Sequence, residues 1–329
     1  MLASFSVSRR AGAFLVAGLL AACALPLAAQ DWPNRPIKLI VPHSPGGATD
    51  AVARLVAQPL GEALGQSIVV ENKPGANGAI GASEVLRAEP DGNTIWISSV
   101  GAAAINPALY DKLPYDMQRD FAPVSLVVNN VELLVVNDKN PARDAAEFVD
   151  MARKNKSPTA MASSGIGSIP HLAIEQLSDS TGIRFLHVPY KGAAPAITDV
   201  IGGQVAAFFG DVPGLIGQVK GGKLKAIGIA SKKRHPALPD VKTLEEQGLK
   251  GVDTINWYAL FVSAKTPPAV VESLNKAVAR SIATPSVHDA LLKSGAEPMS
   301  STPQELAALL KSDTDKWAAL IKAKDIKAE

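Results

Sequence analysis

Short runs of β-branched and other apolar residues alternate with helical patterns along most of the chain. Residues 37–41 have the apolar character of a buried strand, and in residues 50–64 apolar side chains recur every three or four positions, which predicts an amphipathic helix. Residues 67–70 and 94–98 are predicted strands, and residues 79–87 a helix. Because consecutive parallel strands are joined by right-handed helical crossovers, this alternation predicts a largely parallel sheet with helices on both faces.

Two extended apolar runs, at residues 121–137 and 257–263, interrupt the alternation. One run leaving and one returning indicate that the chain crosses twice between two α/β domains, each with a mostly parallel sheet flanked by helices. The almost purely helical C-terminal part is expected to pack on the first domain. The predicted domains are residues 30–128 plus 255–329 and residues 129–254. The other predicted helices are 142–154, 170–177, 195–201, 214–220, 269–283, 286–294 and 302–324, and the other predicted strands are 159–163, 184–188, 206–209 and 224–230.

The first 29 residues have the pattern of a secretory signal peptide. Arg9 and Arg10 precede an apolar run, and small residues follow Pro26. We expect export to the periplasm and cleavage after Ala29. Leu20 to Cys23 also resembles a lipoprotein processing site, which would leave Cys23 lipidated; against this alternative, residues 24–27 stay apolar, whereas a lipoprotein tether is usually polar. A membrane anchor is disfavoured because the apolar run breaks at Pro26.

Charge and cysteine content narrow the possible functions. The chain of 329 residues has 33 Lys and Arg against 31 Asp and Glu, and the two leader arginines leave 31 of each sign from residue 30 onward. A formally neutral protein is a poor nucleic-acid binder, which needs a basic face. Cys23 is the one cysteine, so the part that follows the leader has no thiolate for catalysis, disulfides or metal binding.

Glycine-rich turns between a strand and a helix carry most of the chemical signal. One turn spans His43 to Asp50 and a matching turn spans Ser163 to His171; others are at 74–78, 98–101 and 190–193. Thr49 or Asp50 is expected to cap the first helix and Ser168 the second. A helix start offers unpaired N–H groups and positive dipole charge to a carboxylate or phosphate. One such turn is ordinary loop chemistry, but two matched turns at the carboxyl ends of strands indicate a ligand-binding cleft.

Motifs for catalysis, metals and nucleotides are missing. The sequence has no phosphate-binding loop with Gly-Lys-Ser/Thr, no G-x-S-x-G and no H-E-x-x-H, and its five histidines have no metal-ligand spacing. We therefore expect no cofactor and no metal. His43 and His171 either donate to a ligand or serve in capping and packing, and His187 is expected to be structural. Asp211 follows a strand, where it can face the cleft and accept from a ligand ammonium or hydroxyl group.

Several motifs, in order and spacing, resemble those of the Bug (Bordetella uptake gene) family, the extracytoplasmic solute receptors of tripartite tricarboxylate transporters. The resemblance runs from Trp32 to about Ile326. The motifs that carry it are Pro33-Asn-Arg-Pro-Ile37, Val41-Pro-His-Ser-Pro-Gly-Gly-Ala-Thr-Asp50, Val70-Glu-Asn-Lys-Pro-Gly-Ala-Asn-Gly78, Gly165-Ile-Gly-Ser-Ile-Pro-His-Leu172, Pro189-Tyr-Lys-Gly192, Pro239-Asp-Val-Lys-Thr-Leu-Glu-Glu-Gln-Gly248 and Lys316-Trp317.

The resemblance implies a non-catalytic, monomeric periplasmic receptor with a type II binding-protein fold, whose two domains are joined by two crossing strands. It also implies a small organic acid or amino acid as ligand, held by main-chain N–H groups, hydroxyl side chains and water, and membrane permease subunits as partners. His43 stands where the family commonly has Phe or Tyr. The candidate ligand-binding residues are His43, Pro45, Gly46, Gly47, Thr49, Asp50, Asn77, Ser99, Ser164, Gly165, Gly167, Ser168, His171, Tyr190, Lys191, Gly192 and Asp211.

Two other functions stay open at this point. An exported α/β hydrolase or lyase would use His43 or His171 as a base, with a nucleophile or activated water within about 3 Å of the imidazole. A sensor subunit would bind the same ligands but signal to a membrane partner instead of feeding a permease.

Overall fold

The computed structural model describes residues 32–327, so the predicted leader, its cleavage site and Cys23 lie outside the described residues. The strands are β1 (Ile37–Val41), β2 (Ile68–Asn72), β3 (Thr94–Ser99), β4 (Phe121–Asn129), β5 (Glu132–Asn137), β6 (Ala160–Ser163), β7 (Leu186–Pro189), β8 (Ala207–Asp211), β9 (Leu224–Ile229), β10 (Tyr258–Ser263) and β11 (Glu297–Pro298). The α-helices are α1 (Ala48–Leu64), α2 (Ala79–Arg87), α3 (Asn106–Leu109), α4 (Met117–Asp120), α5 (Ala145–Lys154), α6 (Ile169–Thr181), α7 (Ala193–Ile201), α8 (Val212–Lys220), α9 (Pro268–Ala283), α10 (Pro285–Ser294) and α11 (Pro303–Lys324).

These strands form two mixed sheets. The first sheet has the order β11-β4-β10-β3-β1-β2, and the second has the order β7-β6-β8-β5-β9. Most strands of each sheet run in one direction, as predicted. In the first sheet β10, between β3 and β4, and the edge strand β11 run against the other four strands. In the second sheet β5 alone is reversed, between β8 and β9. β5 and β10 adjoin the points where the chain passes from one sheet to the other.

The two connections between the sheets run side by side, as expected from the extended runs. Asn130 and Asn256 exchange backbone hydrogen bonds of 2.9 and 3.2 Å, and Val131 pairs with Ile255 in an antiparallel bridge. We call the part that carries the first sheet the first domain and the part that carries the second sheet the second domain. The two-domain α/β fold with paired crossing strands is therefore confirmed, while the boundaries near residues 128 and 255 stay a prediction.

Helices cover both faces of each sheet. The apolar face of α1 buries Val52, Val56 and Leu60 against the first sheet, as its three- and four-residue spacing predicts. The C-terminal helices return to the same domain: α11 buries Leu306 and Trp317 there. Burial of these apolar surfaces stabilises the packing of α11 on the first domain.

One segment has more helix than its sequence predicts. After β3 the chain forms a π-helical turn over Gly101–Ile105 and the short helix α3. Ala102, Ala103 and Ala104 are fully buried there, in the core that includes α11. A run of three alanines shows no helical alternation of polar and apolar positions, so tertiary packing rather than the local sequence pattern determines this turn.

Candidate functional site

A narrow cavity lies between the two sheets, at the carboxyl ends of β1, β3, β6 and β8. The free space is about 30 Å³, far below the roughly 300–1,000 Å³ of typical small-molecule pockets. Its lining is supplied by both domains and contains no lysine or arginine. The lining residues are His43, Gly47, Ala48, Thr49, Asn77, Ser99, Gly101, Ser164, Ser168, Ile169, Pro170, Ala193, Ile197, Phe208, Gly210, Asp211, Gly214, Leu215, Asn256 and Tyr258.

Four helices begin at this cavity. First-turn residues of α1, α6, α7 and α8 all contribute to its lining. The first N–H groups of a helix have no intrahelical acceptor, and the aligned peptide dipoles place positive partial charge there. These helix starts bring positive partial charge to the cavity without a cationic side chain, which favours an anion.

The first candidate turn joins β1 to α1. Gly47 is the residue before the helix, with φ −80° and ψ 171°. The prediction that Thr49 or Asp50 caps this helix is wrong, because both lie inside its first turn. Asp50 accepts hydrogen bonds from the Gly46 amide and the Asn72 side chain, each 2.9 Å long. Asp50 thus holds the turn in shape instead of facing the cavity.

His43 begins the same turn and contributes to the cavity wall. Its Nδ1 lies 3.0 Å from Thr49 Oγ1. Burial lowers the pKa of the His43 imidazole to about 4, so the ring is neutral near pH 7. A neutral imidazole can donate or accept a hydrogen bond but brings no positive charge to the cavity.

The second candidate turn joins β6 to α6. Ser168 is the N-cap, as predicted: its hydroxyl accepts from the His171 amide at 3.4 Å and donates to the Gly165 carbonyl at 2.6 Å. Ser164 and Ser168 bring hydroxyl groups to the cavity from the second domain. Gly167, with φ +73°, lies outside the lining because it packs on Leu109 of the first domain, where an added Cβ would overlap the leucine.

The two histidines of the second domain hold this turn from behind. The rings of His171 and His187 stack with centroids 3.8 Å apart. His171 Nδ1 accepts from the Gly167 amide at 3.1 Å, and His187 Nε2 lies 2.6 Å from Ser163 Oγ. Burial is the main reason that the pKa values fall to about 3 for His171 and about 4 for His187. His171 is therefore a neutral structural residue outside the cavity lining.

The third candidate turn forms a contact between the domains at the rim. Ser44 Oγ of the first domain donates to the Lys191 carbonyl at 2.6 Å. Gly192 lies so close to Ser44 that an added Cβ would stand 3.1 Å from its Oγ. The Tyr190 hydroxyl donates to Asp199 at 2.6 Å. The contacts of Ser44 with Lys191 and Gly192 join the two domains, whereas Tyr190 is tied to its own domain. Tyr190, Lys191 and Gly192 all lie outside the lining.

Asn77 and Ser99 bring further polar groups from the first domain. Asn77 adopts a left-handed conformation with φ +44°, and its side-chain amide donates to Asn106 Oδ1 at 2.9 Å. Its Oδ1 is buried without a partner among residues 32–327. Gly101 must be glycine for this arrangement, because a Cβ there would lie 2.9 Å from the Asn77 side chain.

The floor of the cavity contains Asp211, which forms an acidic pair with Glu132, a fully buried residue outside the lining. The two residues face each other in the register of β5 and β8. Asp211 accepts from both the Tyr258 hydroxyl and the Asn256 amide, the latter at 3.0 and 3.1 Å. Asp211 belongs to the second domain and Tyr258 to the first, so this network ties the domains together beside the crossing strands.

Burial governs the protonation of the acidic pair. Glu132 is fully buried, and its carboxyl oxygens have no amide or hydroxyl donor within reach in the described part of the chain. Burial first, and then the charge of Asp211, raises the pKa of Glu132 well above its usual value. Burial also raises the pKa of Asp211 to about 6, although hydrogen bonds from Tyr258, Glu132 and Asn256 oppose this shift. A Glu132 that keeps its proton can donate it to Asp211, so the pair carries at most one negative charge.

The predicted residues thus divide into two groups. Those in the cavity lining are His43, Gly47, Thr49, Asn77, Ser99, Ser164, Ser168 and Asp211. Those outside the lining are Pro45, Gly46, Asp50, Gly165, Gly167, His171, Tyr190, Lys191 and Gly192.

Sequence reasoning missed several lining residues, chiefly Asn256 and Tyr258 on the returning chain and Phe208 and Leu215 in the second domain. Asn256 could have been found from the sequence, because it lies just before the second extended run, where a buried polar residue needs a hydrogen-bond partner. The apolar residues carry no local signal, since they follow the same pattern as the core. Among residues 32–327, no three His, Cys, Asp or Glu side chains come together as a metal site would require.

Two α/β domains with helix starts that converge on a cleft between their sheets have the architecture of a solute-binding protein. Residues 52–326 match the model of the tripartite tricarboxylate transporter family receptor. The chain belongs to this family, which confirms the resemblance stated above. Receptors of this family are periplasmic solute-binding proteins and not enzymes, so the prediction of a non-catalytic receptor is also confirmed.

Solved structures of similar proteins agree with this assignment. The periplasmic binding protein BugD is 34% identical with a TM-score of 0.86, over 91% of this chain and 100% of BugD. The Rhodopseudomonas palustris protein Rpa4515, solved with adipate, is 33% identical with a TM-score of 0.87, over 90% and 99%. MatC from the same organism, solved with bound malate, is 32% identical with a TM-score of 0.82, over 88% and 100%.

Proposed function

We propose that this protein captures a small carboxylate-bearing ligand between its two domains and delivers it to the membrane permease subunits of a tripartite tricarboxylate transporter. The observation that carries this proposal is the convergence of four helix starts on a cavity without lysine or arginine. Adipate and malate in two similar receptors support the same ligand class.

In the proposed mechanism, the ligand carboxylate docks on the N–H groups at Gly47 to Thr49 in the first domain. Ser164 then adds a hydrogen bond from the second domain, and Ser168 adds another when its hydroxyl turns from the Gly165 carbonyl to the ligand. Several donors are needed because an incompletely paired carboxylate loses several kcal/mol of hydration. The free space of about 30 Å³ requires the domains to separate for ligand entry. The ligand shifts the equilibrium toward closure only through contacts that differ between open and closed forms.

Asp211 has a more restricted role than a free carboxylate would have. It already accepts from Tyr258 and Asn256 and faces Glu132. We propose that it orients the cavity floor and accepts a hydrogen bond from a hydroxyl or ammonium group of the ligand. His43 acts as a neutral hydrogen-bonding wall.

For localisation, we propose export by the leader with cleavage after Ala29; lipidation of Cys23 is the alternative. The intact mass and N-terminal sequence of the protein recovered from periplasm distinguish them. A water-soluble form that begins at Gln30 supports the proposal, and a lipid-modified N-terminal Cys23 contradicts it. Among residues 32–327, no helix has the length and apolar character needed to cross a membrane.

A thermal-shift screen against organic acids, starting with adipate and malate, tests the ligand class. A ligand at 100 times its Kd adds about 2.7 kcal/mol to the unfolding free energy, which raises the melting temperature by several degrees. The screen includes neutral amides of the same acids as controls. Stabilisation by amides but not by acids would contradict the carboxylate site. NMR of each stabilising acid after incubation checks that it is released chemically unchanged.

A further inference from the structure

A second, larger depression lies beside the crossing strands, on the other side from the ligand cavity. It encloses about 860 Å³. Ile255 and Asn256 are neighbours in an extended segment, so their side chains point to opposite sides. Asn256 accordingly lines the ligand cavity, and Ile255 lines this depression. We call it the hinge groove, because Val131 and Ile255 of the paired crossing segments form part of its lining.

The hinge groove combines exposed apolar side chains with a basic rim. Ile255 is 48% exposed and Leu292 is 41% exposed. Six large apolar residues are exposed among residues 32–327, and these two alone line the same pocket. Four lysines around them form no ion pair in the described chain; they are Lys220, Lys232, Lys233 and Lys293. Asp253 and Glu297 also line the groove, but the lysines outnumber them and leave the rim with net positive charge. Exposed apolar surface with a net positive rim fits a partner with acidic and apolar groups.

The walls of the groove belong to different domains. Lys232 and Lys233 are on a loop of the second domain, and Leu292 and Lys293 are on α10 of the first. Next to the groove the domains touch tightly, since an added Cβ at Gly295 would overlap Val212. A rotation about the crossing strands must therefore change the distance between the walls. A partner that fits the groove in one conformation detects whether the ligand has closed the domains.

We propose that the hinge groove docks an acidic, partly apolar segment of the membrane permease and that docking depends on domain closure. This inference rests on the proposed function. An anionic membrane surface has complementary charge too, but it is broad and flat and cannot fill a concave groove between two domains. A protruding polypeptide segment can reach Ile255 and Leu292 while its acids meet the lysines.

Uptake in cells that lack the chromosomal receptor gene tests the proposal. The cells are complemented with wild type, with Leu292→Asp combined with Lys232→Glu, or with a matched control, Leu186→Asp combined with Lys223→Glu. Leu186 and Lys223 are exposed residues outside the groove. We expect the groove variant to reduce uptake of radiolabelled adipate or malate at least tenfold, with melting temperature and ligand affinity close to wild type. The control variant should transport like wild type.

In cells grown on a mixture of organic acids, photo-cross-linking gives a readout that does not need the ligand to be identified. A benzophenone amino acid at position 292, in cells that also express the permease subunits, should label a permease subunit, whereas the same probe at position 186 should not. Groove variants that transport like wild type, or a probe at 292 that labels no permease subunit, would overturn the proposal. Groove-dependent flotation with phosphatidylglycerol vesicles and no permease label would assign the groove to the membrane instead. Failure of every acid to bind the wild type would contradict the proposed function, and the cross-link would still decide the groove.

Discussion

Replacing Glu132 by glutamine removes one ionisable group from the buried acidic pair next to the cleft and keeps the size and shape of the side chain. In the wild type, Glu132 faces Asp211 in a fully buried position. Its oxygens lack an amide or hydroxyl donor in the described chain, so we infer that it keeps its proton and donates to Asp211. A glutamine amide can make the same donation without titrating.

The sign of the pH effect follows from the raised pKa of Glu132. In the unfolded chain a glutamate loses its proton near pH 4.3, whereas in the folded protein burial retains the proton to much higher pH. Between these values the folded state binds more protons, so stability falls as pH rises. One retained proton changes the unfolding free energy by about 1.4 kcal/mol per pH unit. Between pH 5 and 7, we expect Glu132→Gln to gain up to about 2.7 kcal/mol relative to wild type.

Urea unfolding from pH 5 to pH 8, followed by tryptophan fluorescence, measures this difference. Glu245→Gln is the matched control, because Glu245 is exposed on a surface turn. The control should follow the wild-type profile, while Glu132→Gln should show a flatter fall toward neutral pH. Parallel profiles for wild type and Glu132→Gln would refute the inference that Glu132 is protonated in the folded protein.

Other substitutions test the cleft itself. Gly47→Val should leave the melting temperature near wild type, because valine tolerates the φ of −80° at this position. Its side chain points toward Ala193 across the cleft, and overpacking of about 1–3 kcal/mol should weaken binding of the acid found by thermal shift about 5- to 150-fold. Unchanged affinity in titration calorimetry would contradict the site. Ser168→Ala and Thr302→Ala each remove a helix cap, so each should lose about 1 kcal/mol of stability in urea unfolding. Of the two variants, only Ser168→Ala should also weaken ligand binding. Equal ligand affinities for the two variants would show that Ser168 does not contribute to the site.

The local features of the fold could be predicted from the sequence, because they depend on neighbouring residues. The strand at 37–41 and the helix at 79–87 have the predicted bounds, since Pro36 and Pro42 flank the strand and Gly78 precedes the helix. The cap of α1 was mispredicted because Gly47, Thr49 and Asp50 are three possible caps in close succession. Gly47 is the N-cap of this helix because Asp50 lies in the first turn and accepts a hydrogen bond from the Gly46 amide. The sequence alone does not show this contact.

The candidate site was predictable only where a turn belongs to one domain. Gly47, Ser164 and Ser168 were found because the βα turn itself places them at the sheet edge. Asn256 and Tyr258 reach the cavity because the chain returns beside β3 and β4, and their pairing with Asp211 spans many residues. Gly167 is the converse case: it belongs to a glycine-rich turn that is typical of ligand binding, but it packs against Leu109 outside the lining.

The position of β10 has a consequence for biogenesis. This strand lies between β3 and β4, but it follows the whole second domain in the chain. The first sheet therefore stays split into two pieces until residues 258–263 have emerged, and long-range pairing of this kind slows folding. A secretion machinery that delivers the chain from its N-terminus would release an unfinished first domain beside a second domain able to complete its own sheet. Such a protein is most exposed to periplasmic proteases and chaperones just before its last quarter arrives.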